Sequence, residues 1–420
     1  MIAEQIEELR VLFWSRTARQ TMILFAGQIL NVLLGVAVTA LNTRWLSVRD
    51  FGTLNILSAV VLFIAWFFDF GVYHAGSRLV ATVRSRVEER KLAGGLAFIS
   101  LVLGLALTVL IAIVSLFIDG LLHMSIGGTL LLLSPLVAVF PFQLMVAMVL
   151  RGNNAIEKLS LYAFGPRLLY LLLMITAWSL IGYSVTMAFG LNLLSLLLVT
   201  IGFLIFLKCD FHELSSTLKL IWRETKEYGL KIYYGTLVDN LTNGTDKILI
   251  SYFVGAAPVG LYSAAVMLTT PIALFSKSLA TSVFKGFTAV DRIPFRDAML
   301  NFVWLIGASA ALLLGSGILI KLIFTEKYLS IRSFLPLLVL ASMFNGANQL
   351  YHVFFMAHRR GEIVRNISII SSLINVFGNV VLISLFGVIG AAWSMMATYC
   401  VNFLLNLYYY QHVTPSTEVA

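Results

Sequence analysis

Residues 94–118 read GGLAFISLVLGLALTVLIAIVSLFI, 25 positions without a charge, entered from Arg90-Lys91 and left at Asp119. About 20 apolar residues of α-helix cross a hydrocarbon core about 30 Å thick, so this stretch is long enough to span a bilayer with some tilt. Working outward, comparable stretches lie at 21–42, 53–73, 126–149, 159–181, 183–207, 229–253, 258–283, 299–323, 331–357, 366–386 and 388–410. The expected fold class is therefore an all-α polytopic membrane protein with about 12 transmembrane helices.

Composition points the same way. The chain is 60% hydrophobic and 12% charged, and its mean hydropathy is +0.93, whereas a soluble domain carries about 25% charged residues. A net charge of +9 would suggest nucleic acid in a soluble chain; here the basic residues flank spans, where they set orientation. Of the 29 basic residues, 21 fall on one set of alternate loops and five on the other: Arg44, Arg49, Lys321, Lys327 and Arg332. Lys and Arg stay cytoplasmic, so both termini are expected inside.

The loops exclude several functions. The longest, about 208–228, is expected to be cytoplasmic, and the external loops are too short to hold a catalytic domain. No G-x-x-x-x-G-K-[ST] run is present, which excludes nucleotide hydrolysis by that route. Two cysteines, Cys209 and Cys400, build neither a disulfide framework nor a metal knuckle, and no cofactor or metal is expected. Residues 1–20 place Ile2, Ile6, Leu9 and Phe13 at helical spacing among Glu4, Glu7, Glu8 and Arg10, as in an amphipathic helix on the membrane surface rather than a cleavable leader.

An internal repeat organises the spans. Phe51-Gly52 answers to Val259-Gly260, Arg151-Gly152 to Arg360-Gly361, and Leu180-Ile181-Gly182 to Val388-Ile389-Gly390, at offsets of 208 or 209. Each half holds six spans and starts inside, so the halves run parallel, and substrate sites in such proteins lie between the repeats near the midplane. The expected division is an amphipathic segment 1–20, an N-lobe 21–207, a linker 208–228, a C-lobe 229–410 and a cytoplasmic tail 411–420.

Three runs carry a family likeness: Asn42-Thr43-Arg44-Trp45-Leu46-Ser47-Val48-Arg49-Asp50-Phe51-Gly52; Asp69-Phe70-Gly71 leading to Arg78; and Thr245-Asp246-Lys247-Ile248-Leu249-Ile250 followed by Gly255 and Val259-Gly260-Leu261-Tyr262-Ser263-Ala264-Ala265. The chain resembles the multidrug/oligosaccharidyl-lipid/polysaccharide exporter superfamily, within it the polysaccharide and O-antigen (Wzx-type) flippases. The likeness covers essentially the whole chain through degenerate patterns. It implies two six-helix lobes around a central cavity that moves a lipid-linked oligosaccharide by alternating access.

Charges inside spans cost at least about 2.5–3.5 kcal/mol at a helix centre, so each requires an account. In a continuous seventh span, Asp239, Asn243 and Asp246 share one face at i, i+4 and i+7, with Asn240 and Lys247 beside them. Lys247 has no acid three or four residues before it, so its partner is expected from another helix or the substrate. Lys247 can hold a pyrophosphate as a point charge while Asp239 or Asp246 carries a proton or sodium ion; the same groups can equally form an interhelical polar lock. Arg167, beside Pro166 and roughly 12 Å into the fifth span, can bind phosphate bidentately or snorkel to the headgroups. Lys277 and Asp69 lie nearer the cytoplasmic ends and suit substrate contact, ion coupling, snorkelling or a gate pair. Asn345, Gln349 and His352 in the tenth span, and Gln28 and Asn31 in the first, suit sugar hydroxyls or helix–helix hydrogen bonds.

The resemblance implies a flippase for an undecaprenyl-pyrophosphate-linked oligosaccharide in the bacterial inner membrane, with contacts to a polysaccharide polymerase or glycosyltransferases and none to nucleic acid; the in-span cations are compatible with a pyrophosphate, and the in-span acids with coupling to an ion gradient. A multidrug exporter of the same superfamily is the alternative, then a membrane polymerase or ligase. The latter lacks the large external loop its relatives carry.

Overall fold

The computed structural model describes residues 16–83, 85–241 and 244–412, with side chains described from Ile23 onward except at 24, 25, 238–241 and 285. The expected amphipathic segment and residues 413–420 of the tail lie almost wholly outside the described residues. Among the described residues all regular structure is helical. The helices are α1 (Arg16–Trp45), α2 (Val48–Trp66), α3 (Val72–Thr82), α4 (Arg86–Leu122), α5 (Gly127–Val137), α6 (Val139–Gly152), α7 (Ile156–Leu180) and α8 (Val185–Leu207). After α9 (Leu214–Glu224) and a π-helical turn (Thr225–Gly229) come α10 (Leu230–Leu241), α11 (Thr245–Phe253), α12 (Ala256–Phe287) and α13 (Phe295–Ile323). A 3-10 turn (Glu326–Ser333), α14 (Leu335–Ala357) and α15 (Gly361–His412) complete the chain.

Nine stretches among the described residues are long and apolar enough to cross a bilayer, and the bent pair Glu326–Ser333 with Leu335–Ala357 makes a tenth. α15 supplies two spans, because Gly387 (φ 60°, ψ −136°) breaks it. The interrupted pair α10 and α11 occupies the seventh position. Outer faces are apolar where the long helices turn away from the protein: α4 exposes Leu105, Val109, Leu116 and Phe117, and α13 exposes Leu314 and Ile318. A helix that shows such side chains outward needs lipid around it.

The expected fourth span is interrupted at Ala138, between α5 and α6, and the tenth begins in a 3-10 turn bent by 67° from α14; two more differ further. The second, read as 53–73, is helical only to Trp66; Phe70 (φ 46°) and Gly71 (φ 72°) are both left-handed, a conformation that cannot continue a right-handed helix. Asp69 consequently lies in a turn ahead of α3 rather than in a helix. The seventh, read as one helix over 229–253, is broken before Gly244.

The chain groups into two compact units, residues 1–39, 64–119 and 125–234 in one and 40–63, 120–124 and 235–420 in the other. In the first, Val72, Tyr73, Leu92, Leu96, Met145, Val149, Tyr162 and Ile221 form the core. The linker after α8 is tied down locally. Lys91 Nζ meets Glu213 at 2.7 Å, the Asp210 N–H donates to the Arg90 carbonyl at 3.0 Å, and the His212 N–H holds the Asp210 carboxyl below the ordinary carboxylate range. Arg78 meets Glu224 at 2.9 Å with its guanidinium over the Tyr228 ring.

At the far end of α4, Asp119 Oδ1 accepts the N–H groups of Ile126 and Gly127, both at 2.7 Å, and so caps α5. These donors have no partner within their own helix. Asp119→Ala is expected to cost about 1–2 kcal/mol, read as a lower melting temperature of the purified protein; Asp119→Asn, which keeps an acceptor, should recover most of it.

The second unit packs α12, α14 and both limbs of α15 around Ala280, Phe287, Leu350, Phe354 and Phe355. Two amides link these helices: Asn402 Nδ2 donates to Ser371 Oγ at 3.0 Å between the limbs of α15, and Asn348 Nδ2 on α14 donates to the Tyr399 carbonyl at 3.3 Å. Asn406 with Asn402 and Asn379 with Asn375 bond within their own limbs, at 2.7 and 3.0 Å. Residues 40–63 belong to this unit through close contacts. Arg44 donates to the Leu322 carbonyl at the end of α13, Phe51 stands edge-on to Tyr328, and Gly52 and Gly260, the glycines paired by the repeat, touch backbone to backbone.

Candidate functional site

The run Asn240-Leu241-Thr242-Asn243-Gly244-Thr245-Asp246 is a poor helix. Asn and Thr offer the backbone competing hydrogen bonds, and Gly244 takes φ 85°, which only glycine adopts without strain. The seventh span breaks there, and α11 starts anew at Thr245. This overturns the single polar face expected for Asp239, Asn243 and Asp246, because a break with a left-handed residue destroys the i, i+4, i+7 register. Asn243 lies outside the described residues, as does the Asp239 side chain on α10.

A break within a span frees backbone polar groups, which a bilayer tolerates only where protein or a cavity satisfies them. The Ile248 N–H donates to the Gly244 carbonyl at 3.2 Å, and Asp246 Oδ1 accepts the Lys247 N–H at 2.8 Å. A carboxylate in the first turn also complements the positive end of the helix dipole. Lys247 is half-buried. Its Nζ lies 3.4 Å from Asn55 Oδ1 on α2, and among the described residues no carboxylate oxygen is within 4.0 Å of it. The neighbour from another helix is a neutral amide, not a charge partner. Tyr262, 1% exposed, sets its hydroxyl within reach of the Asp246 carboxylate and 3.5 Å from Met395 Sδ, and Tyr399 lies beside the same carboxylate. Chemically, this is a helix N-terminus whose first turn carries an ammonium and a carboxylate. Such interrupted helices bind anionic groups at their N-termini.

The remaining predicted residues fall elsewhere. Arg167 and Asn31 meet in the first unit: Arg167 Nη1 donates to the Asn31 carbonyl at 2.8 Å, and Pro166 sits within an uninterrupted α7. Asn31 Oδ1 is buried with no hydrogen-bond partner among the described residues, a costly state unless something else reaches it. Gln28 is exposed one turn away. Asp69 is 7% exposed; its Oδ2 lies 3.7 Å from His74 Nε2, and its Oδ1 has no hydrogen-bond partner among the described residues. Gln349 Nε2 donates to Asn345 Oδ1 at 3.1 Å, so these two amides serve each other. Lys277 and His352 are exposed on their helices. Asn55, Tyr399 and the pairs Asn375/Asn379 and Asn402/Asn406 were legible as polar residues in spans, the last two at the same i, i+4 spacing that singled out Asn345 and Gln349.

A family model described as "Polysaccharide biosynthesis protein" matches residues 17–284, more than half of the chain. The chain belongs to the polysaccharide biosynthesis protein family. No curated protein matches its sequence. Among solved structures, this family member is similar to the lipid II flippase MurJ in an inward closed conformation (17% identity, 92% of this chain and 87% of that one, TM-score 0.72). It is also similar to an inward-facing multidrug resistance MATE family transporter of the MOP superfamily (14%, 95% and 100%, 0.71). A third likeness is to the MATE multidrug transporter DinF-BH (14%, 94% and 94%, 0.65). At these identities the likeness is one of fold: this polysaccharide biosynthesis family member is a multi-pass membrane protein with the fold of MOP-superfamily transporters.

Proposed function

We propose that the chain is a flippase that carries an undecaprenyl-pyrophosphate-linked oligosaccharide from the cytoplasmic to the periplasmic leaflet of a bacterial inner membrane. The observation that carries this reading is the broken seventh span, which sets Lys247 in the first turn of α11 beside a neutral partner. An ammonium at a half-helix N-terminus suits a pyrophosphate far better than a cationic drug. Arg167 and Lys277 are further cations for the lipid headgroup; Gln28, Asn31, Asn345 and Gln349 are the hydrogen-bonding groups for sugar hydroxyls. Transport proceeds by alternating access of residues 21–207 and 229–410, with both termini cytoplasmic. A proton or sodium gradient drives it through Asp239, Asp246 or Asp69, the last a buried carboxyl with one oxygen unpartnered among the described residues.

Expression in a flippase-deficient strain tests this reading. Rescue is expected to restore surface polysaccharide and clear the accumulated lipid-linked oligosaccharide. Rescue of drug resistance with no change in polysaccharide would replace it with the exporter reading.

A further inference from the structure

Asn55 lies on α2 one turn past Gly52. Its Nδ2 donates to the Phe51 carbonyl at 2.9 Å, and its Oδ1 faces Lys247 Nζ at 3.4 Å. Both contacts fix the amide the same way round, because a flipped amide would set its NH2 group against the ammonium and its oxygen against a carbonyl. The Lys247 backbone N–H is already taken by Asp246. Among the described residues Asn55 Oδ1 is the side-chain oxygen hydrogen-bonded to the ammonium, with the Asp246 carboxylate acting on the same charge through space; Asn55 comes from α2, whereas Lys247 belongs to α11. The contact is long and its acceptor neutral. A pyrophosphate adds an ion–ion attraction that a neutral amide oxygen cannot supply, so a pyrophosphate brought to the same ammonium would win it from the amide. Aspartate at this position would have held Lys247 permanently. An amide holds it in place and can let go.

We propose that Asn55 is a displaceable partner of Lys247: it occupies the ammonium in the unloaded protein, and the pyrophosphate of the substrate displaces it, so that loading the site unties α2 from α11. This inference rests on Lys247 being the headgroup site, and it adds the competitor for that site and the link to α2.

The test is binding of inorganic pyrophosphate to the full-length protein in nanodiscs, together with the rate at which an amine reagent labels Lys247. Asn55→Asp replaces the neutral competitor with a charged one and should weaken binding by about tenfold or more. Asn55→Ala removes the competitor; binding should tighten by roughly two- to fivefold and labelling of Lys247 should speed up. The opposite signs separate competition from a structural role, and Asn55→Ala decides the matter if the aspartate variant does not elute as a monodisperse protein. Wild-type binding by Asn55→Asp, or weaker binding by Asn55→Ala, would overturn the proposal. Lys247→Met separates the two levels. Unchanged binding in that variant removes the headgroup reading and this inference with it. Lost binding there, with wild-type behaviour of Asn55→Asp, removes only the role of Asn55.

Discussion

Replacing Lys247 by alanine is expected to reduce export by about a hundredfold while the protein still reaches the membrane. The magnitude follows from what the ammonium would do with a pyrophosphate in a poorly hydrated site. Truncating one partner of a buried, hydrogen-bonded charge pair costs about 2–5 kcal/mol, and about 2.8 kcal/mol is a factor of a hundred. Little of this loss should appear as misfolding, because the partner of Nζ among the described residues is a neutral amide at 3.4 Å. Removing the ammonium thus strands no carboxylate hydrogen-bonded to it among those residues. Lys247→Arg keeps the charge but replaces a compact ammonium with a planar fork, so partial export is expected. Arg167→Ala should cost less, since Arg167 already donates to the Asn31 carbonyl. The assay compares surface polysaccharide with accumulated lipid-linked oligosaccharide at matched protein levels. Normal display by Lys247→Ala would sink the headgroup site.

What made the helices legible was the length of the apolar runs, a property of each segment alone. Residues 94–118 had to be a span wherever the rest of the chain went, and α4 covers them. The breaks were harder to see. Thr242-Asn243-Gly244 carries the composition of a turn, yet it sits inside an otherwise apolar stretch, and membrane helices tolerate such residues when neighbours satisfy the backbone. Only the φ of Gly244 decides between a tolerated glycine and a break. The same holds for Phe70-Gly71, where a left-handed phenylalanine has no sequence signature.

The candidate site was half visible for a related reason. Lys247 and Asp246 stand out because charge in a span is expensive, and no packing information is needed to flag them. Asn55 and Tyr399 are individually ordinary in a membrane helix. Their meaning comes from which helix faces which, a long-range property that spacing within one helix cannot supply. Gln349 and Asn345 show the converse: their spacing is suggestive, but at i, i+4 the two amides simply bond each other.

Gly52 and Gly260 bear the second large effect, this time on stability. A Cβ at Gly52 would overlap the Ala256 carbonyl oxygen and stand 3.0 Å from the Gly260 nitrogen, and one at Gly260 would overlap the Val48 carbonyl and stand 3.1 Å from the Gly52 nitrogen. The obstructing atoms are backbone, so no side chain can swing aside; α2 and α12 must move apart. Overpacking of this kind costs about 1–3 kcal/mol and occasionally more, and close approach through small residues is what holds membrane helices together. Gly52→Ala and Gly260→Ala are each expected to lower the melting temperature of the purified protein markedly. Gly128→Ala should not, because a Cβ there meets nothing within 4 Å. Both glycines guard one contact, so the separation forced by the first methyl relieves much of the second, and the double variant should cost less than the two single losses combined. The prediction also bears on the repeat. Phe51-Gly52 and Val259-Gly260 are equivalent positions 208 residues apart, and equivalent positions meet each other only beside the axis that relates them. Equal losses from the two alanines would fit a contact made symmetrically from both sides. If Gly52→Ala melts with the wild type, the close approach does not stabilise this protein and the two turns are not held together there.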